Sequence, residues 1–131
     1  MIDHVSIAVS DLAASAAFYD RVLAPLGLKR VVERAASIGF GKTYPEFWLN
    51  LRVGLAAVAA ETGCHCCLRA RDAAAVDAFH AAALAAGGRS DGAPGARQGE
   101  MTRYYAAFIR DPDGNKLEAA NFPRAESSGS E

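Results

Sequence analysis

The chain carries one pattern twice. Placing His4 on His65, an offset of 65 − 4 = 61 residues, also superposes Asp11 on Asp72, Ala14 on Ala75, Phe18 on Phe79, Leu23 on Leu84 and Gly27 on Gly88. Half of a 131-residue chain is too small to bury its own apolar face. Two such units are therefore expected to share a core and form one pseudo-symmetric domain. Each copy then contributes one histidine from an equivalent place.

The first unit, about residues 1–54, opens with a period-two run over 2–9 in which His4, Ser6 and Ala8 share one face and Val5, Ile7 and Val9 the other, the signature of a strand. A helix follows, with Ser10 or Asp11 as its N-cap, Leu12, Ala16, Tyr19, Leu23 and Leu26 on its apolar stripe, and Gly27 at its left-handed end. Strands are expected at about 28–34, 36–41 and 46–53. The second unit, about 63–122, repeats the order: a strand over 64–70, a helix capped by Asp72 and closed by Gly87 and Gly88, a glycine-rich loop over 91–102, and strands over 103–110 and 116–122. Asp111-Pro112-Asp113-Gly114 is a turn signal between the last two, because proline presets φ at the second position and glycine accepts a positive φ. The fold class that follows is α+β: two βαβββ-like units, preceding a polar tail over 123–131 expected to be disordered.

A net charge of −1 offers nothing to a polyanion, so nucleic acid is excluded as a partner. The longest apolar stretch, near Val53 to Ala60, is too short to cross a bilayer, and the start lacks a basic and apolar leader. A cytoplasmic protein acting on a small molecule is the expectation. Cys64, Cys66 and Cys67 fall in one strand-like run, where neighbours point to opposite faces, and read as reduced thiols. They lack the second ligand pair of a structural zinc site.

Three residues carry chemistry: His4 and His65 on the first strand of each unit, and Glu118 in the middle of the last strand. Taken singly, each has an ordinary reading as a packed or solvated histidine or a strand glutamate facing water. The repeat changes the weighting, because two histidines stand at equivalent positions. A carboxylate within an apolar strand is expensive to desolvate unless it is paired or binds a cation. Two imidazoles and a carboxylate suit one divalent metal, Fe, Mn, Ni, Co or Zn.

Together, Ile2-Asp3-His4-Val5 with Asp11 and Phe18-Tyr19, the second-unit His65, and Asp111-Pro112-Asp113-Gly114-Asn115-Lys116-Leu117-Glu118 resemble the vicinal oxygen chelate superfamily. That superfamily holds glyoxalase I, fosfomycin-resistance thiol transferases, extradiol dioxygenases and bleomycin-resistance proteins. The resemblance implies a cupped, incompletely closed eight-stranded mixed sheet with helices outside, a metal held by His4, His65 and Glu118, and a homodimer in which His4 of one subunit can share a metal with His65 and Glu118 of another. It implies a lyase, thiol transferase or dioxygenase acting on a small oxygenated metabolite. The alternative is a non-catalytic binding protein of bleomycin-resistance type. Glyoxalase I-like members add a glutamate from the last strand of the first unit, where this chain has Phe47-Trp48-Leu49-Asn50-Leu51 with Glu46 at the very start. Glyoxalase I activity is therefore not expected.

Around these ligands, Tyr105 is favoured over Tyr104 as a donor to a metal-bound oxygen, and Ser6 shares the His4 face. Trp48 offers an aromatic wall, and Arg69 and Arg103, with Arg97, are candidates to hold an anionic substrate. The remaining histidine, His80, lies on the second helix at the position matching Tyr19.

Overall fold

The computed structural model describes residues 1–123; the expected tail lies, from residue 124 on, outside the described residues. In the first unit, β1 (Val5–Val9) leads into α1 (Leu12–Leu23). The helix starts where the Asp11 side chain accepts the Ala14 N–H at 3.0 Å, satisfying a donor the helix itself leaves free. A 3₁₀ turn, Ala24–Leu26, carries Pro25, and Gly27 at φ 79° ends it. The strands β2 (Lys29–Glu33), β3 (Ser37–Gly41) and β4 (Phe47–Leu51) complete a sheet of order β1-β4-β3-β2, with β1 parallel to β4 and the other pairs antiparallel.

The second unit repeats this topology. β5 (Cys66–Arg69) precedes α2 (Ala73–Ala85), whose N-cap Asp72 accepts the Ala75 N–H at 2.8 Å. β6 (Arg89–Gln98), β7 (Arg103–Arg110) and β8 (Lys116–Asn121) form the sheet β5-β8-β7-β6, again with the first and last strands parallel. The two units are thus a pair of four-stranded mixed sheets that do not close on each other, and β1 and β5 are both edge strands. α1 and α2 pack together and against the sheets. Val9, Tyr19, Val22, Phe40, Phe47 and Leu49 of the first unit merge with Val76, Phe79, Ile109 and Leu117 of the second in one buried cluster. Each such large apolar side chain contributes about 1.5–3 kcal/mol. No helix among the described residues is long and apolar enough to cross a membrane.

Two expectations need correction, and the two closing glycines of α2 divide their roles. The glycine-rich segment read as a loop over 91–102 is mostly β6, which pairs with β7 through irregularities between Ser90 and Gly92 and between Gly92 and Gly95. It is an edge strand, so Pro94 can lack a donor and the glycines can serve the bulges without breaking the sheet. The left-handed residue after α2 is Gly87, at φ 100°, rather than Gly88. Gly88 serves close packing, since a Cβ there would stand 2.7 Å from the Arg110 carbonyl oxygen and 2.9 Å from the Phe18 ring. Leu84, the counterpart of fully buried Leu23, is 46% exposed, because the buried stripe of α2 runs through Val76, Phe79 and Ala83 instead.

The Asp111–Gly114 turn fastens one unit to the other. Asp111, buried, accepts the Tyr19 hydroxyl of α1 at 2.7 Å, the Asp113 and Asn115 backbone N–H groups at 3.0 and 2.8 Å, and the Asn115 side-chain amide at 3.0 Å. The same amide donates to the Ala8 carbonyl at 2.9 Å, and the Ser10 N–H donates to Asp113 at 3.1 Å. The linker joins in, with the Val58 N–H donating to the Asp113 carbonyl at 2.8 Å and Arg110 donating to the Ala60 carbonyl at 3.2 Å. Burial raises the Asp111 carboxyl above its ordinary value, opposed by the hydrogen bonds from Tyr19 and Asn115, and burial with the adjacent Asp111 holds the Tyr19 hydroxyl well above 10.

Tyr19→Phe should cost roughly 1–2 kcal/mol, and a double-mutant cycle with Asp111→Asn should show coupling of about 1 kcal/mol or more. A carboxyl whose folded pKa is raised stabilises fully below its unfolded value, near 3.8, and this contribution is lost as pH rises through the folded pKa. The deficit of Asp111→Asn in urea denaturation should therefore be larger at pH 4 than at pH 7.5.

Candidate functional site

The open face of the second sheet is set by register. Glu118 stands directly opposite Phe108 of β7 and beside Cys67 of β5, so the three side chains share a face with His65, two residues before Cys67. The His65 Nε2 lies 3.1 Å from the Glu118 Oε1. Glu118 is 6% exposed, so its carboxylate is withdrawn from water with an imidazole as its polar neighbour, while the His65 side chain remains 38% exposed. Cys67 lies on the open edge strand, yet burial of its thiol, followed by the charge of Glu118, pushes it up to about 12. The thiol is protonated at neutral pH and is no nucleophile there.

Phe108 is the hub of this face. The His65 ring meets it edge-on at 5.7 Å, and Arg97 and Lys116 stand over it at 5.2 and 4.9 Å. Farther along, Tyr104 stacks on Phe122 at 5.1 Å and Arg69 stands over the same Phe122 ring at 5.1 Å.

The open face of the first sheet follows from the pairing of Ser6 with Trp48 and of Ser37 with Asn50. A cleft of about 350 Å³ there is lined by His4, Ser6, Arg34, Tyr44, Trp48 and Asn50, among others. Arg34 covers the Trp48 ring at 5.1 Å. His4 Nδ1 lies 2.7 Å from Asp3, whose carboxylate also accepts the Tyr44 hydroxyl at 2.9 Å. The hydrogen bonds from His4 and Tyr44 lower the Asp3 carboxyl below its ordinary value. A second cleft of about 350 Å³ lies between the opening strands and is lined by both His4 and His65, with Glu46 and Cys67.

The expected ligands are therefore gathered in part. His65 and Glu118 are in hydrogen-bond contact, and His4 borders the same cleft as His65. Among the described residues no three His, Cys, Asp or Glu side chains converge on one point. A neutral imidazole beside a buried carboxylate is donor chemistry that a divalent transition metal accepts. Ser6 and Trp48 line the His4 cleft as their alternation implies, and Arg69 lies on the His65 face. Glu46, read as too early in its strand to matter, borders the cleft between the two histidines.

Tyr105 does not face the site. Its hydroxyl donates to Asp77 on α2 at 2.7 Å and its ring packs on the core, on the side of β7 away from Glu118. Strand alternation puts Arg103 on that same side. Tyr104 and Arg97, paired across β6 and β7, occupy the open face instead. His80 is held on the surface by Ser90 Oγ at 2.8 Å.

Comparison with known proteins agrees with this architecture. The model of the Glyoxalase/Bleomycin resistance protein/Dioxygenase superfamily matches residues 1–119. A crystal structure of a glyoxalase/bleomycin resistance protein from Albidiferax ferrireducens T118 is 33% identical, covers 92% of this chain and 98% of its own, and superposes with a TM-score of 0.82. A glyoxalase-related enzyme from Fulvimarina pelagi, 22% identical with coverage of 94% and 88%, gives a TM-score of 0.71. A glyoxalase/bleomycin resistance protein/dioxygenase from Alicyclobacillus acidocaldarius, 20% identical with coverage of 93% and 91%, gives 0.66. No match was found among curated proteins. A family match over nearly the whole chain, on a duplicated βαβββ fold with an imidazole and a buried carboxylate on its open face, means that this chain belongs to the Glyoxalase/Bleomycin resistance protein/Dioxygenase superfamily.

Proposed function

We propose that the chain is a small cytoplasmic metal-dependent enzyme that binds one divalent metal through His4, His65 and Glu118 and acts on a small oxygenated metabolite. The observation that carries this reading is Glu118, a carboxylate buried on an open sheet face with an imidazole 3.1 Å away. An acidic group withdrawn from water at the edge of a cleft is stabilised by a cation. Fe, Mn, Ni, Co and Zn all suit the donor set. A metal held there supplies Lewis-acid stabilisation of developing negative charge on oxygen or, if it is Fe(II), activation of dioxygen, which accommodates lyase, thiol-transferase and dioxygenase chemistry.

The chain's own groups define the surroundings. Phe108 walls the His65–Glu118 pair and limits water on that side. The Cys67 thiol presents a neutral flank. Ser6 offers a hydroxyl and Trp48 a ring in the His4 cleft.

His4 stands apart from the pair within one chain, and β1 and β5 each leave one edge unpaired. Both features support a homodimer in which His4 of one copy completes the site formed by His65 and Glu118 of another. The second reading, a binding protein that holds its ligand without turnover, is favoured by the cation-and-ring lining of the open faces, which needs no metal to operate.

Elemental analysis of protein purified without a histidine tag should find about one transition metal per chain, and Glu118→Ala should lose it, since a removed ligand typically abolishes stoichiometric binding at such a site. Full metal retention in Glu118→Ala refutes the assignment, and no metal in either protein after reconstitution favours the binding reading. Mixing His4→Ala with Glu118→Ala under subunit exchange distinguishes the two site arrangements. If the site is shared across a dimer, random pairing restores about a quarter of the sites. If each site lies within one chain, no metal returns.

A further inference from the structure

Every cation that stands over an aromatic ring among the described residues lies on an open sheet face, and none on the helix side. Arg34 covers Trp48, Arg69 covers Phe122, and Arg97 and Lys116 cover Phe108, all at 4.9–5.2 Å. Lys116 is balanced by Asp91 at 3.1 Å. The three arginines have no carboxylate within salt-bridge distance among the described residues, and the one buried carboxylate on these faces, Glu118, is engaged with His65.

Arg97 is the most constrained of the three. Its Nη2 donates to the Ala93 carbonyl at 2.7 Å, while its Nε is buried with no partner among the described residues. Gly92 makes the space for it, since a Cβ there would stand 2.9 Å from the Phe108 ring and 3.3 Å from Arg97 Nη2. A guanidinium laid over a ring loses rotational freedom before any ligand arrives, and its in-plane N–H donors match the two oxygens of a carboxylate. Its flat face and the neighbouring rings accept a second planar group by stacking. The faces so built are cationic in a chain whose net charge is −1.

We infer that the ligand of this protein is a planar, conjugated carboxylate, such as an aromatic acid, whose carboxylate is taken by Arg69 or Arg97 beside the His65–Glu118 pair and whose ring stacks on the open-face aromatics of the second sheet, Phe108, Tyr104 and Phe122. This rests on the open faces being the ligand site, as proposed above, and does not depend on the metal. The competing role for the arginines is to shield the rings from water. That role lowers stability when an arginine is removed but does not discriminate between charged and neutral ligands.

Benzoate, benzamide and cyclohexanecarboxylate, titrated into the intact protein and followed by calorimetry, separate these roles. Benzoate should bind at least about 10-fold more tightly than benzamide, which lacks the charge, and measurably more tightly than cyclohexanecarboxylate, which lacks the plane. Arg97→Gln and Arg69→Gln should together weaken benzoate by about 10-fold, benzamide by much less, and leave the metal content unchanged. Equal affinity for benzoate and benzamide, insensitivity to both variants, or no saturable binding of benzoate overturns the inference. Equal affinity for benzoate and cyclohexanecarboxylate overturns its planar component. If Glu118→Ala loses metal but keeps the benzoate preference, both readings stand; if no metal ever binds and the preference persists, only the metal reading fails.

Discussion

The carboxylate of Asp111 is the joint on which the molecule depends. It accepts four hydrogen bonds from three residues, one of them from a tyrosine 92 positions earlier in the chain. Neither sheet is large enough to stand alone, and an apolar interface by itself leaves freedom for one sheet to slide or rotate over the other. A buried acceptor whose partners come from both units removes that freedom, because any slip leaves a desolvated carboxylate unsatisfied. The turn that makes the β7–β8 hairpin is therefore also the clasp between the units. Glu118, four residues beyond Gly114, inherits its position from that clasp.

The duplication is exact in topology and uneven in chemistry. Both units run strand, helix and three strands in the same spatial order, yet the slot filled by Tyr19 in α1 is filled by His80 in α2. Tyr19 is fully buried and fastened to Asp111, whereas His80 meets Ser90 at the surface. On the open faces, the second unit supplies the buried carboxylate and the first supplies the tryptophan cleft. The two halves bring different parts to what they enclose.

Much of this is legible in the sequence. The repeat, the Asp11 and Asp72 caps and the Asp111–Gly114 turn each rest on local chemistry that the structure retains. β6 was not legible, because an edge strand needs no alternation and tolerates Pro94 and the bulge glycines that elsewhere signal a loop. Which of Tyr104 and Tyr105 faces the open side is hidden for a different reason. Alternation says that neighbours face opposite ways but not which way each faces. Counting outward from the hairpin turn pairs Arg110 with Lys116, then Phe108 with Glu118, which puts Tyr104 on the glutamate face. The hairpin turn carries that signal. The separation of His4 from His65 and Glu118 is not readable from spacing or periodicity, since it depends on how two sheets tilt about their shared core; only the family resemblance points to it.

β1 is clasped to the other unit at only one of its ends. Ala8 and Ser10, at that end, are tied to Asn115 and Asp113, whereas the other end is held within its own unit, by the Val5 N–H on the Glu46 carbonyl and the Tyr44 hydroxyl on Asp3. His4 lies one residue before the strand, its imidazole held by Asp3 rather than by the ladder. Rotation of that side chain alone moves the imidazole along the cleft without breaking a β1–β4 rung, so this donor can be trimmed to different cations or occupants while the rest of the fold stays fixed.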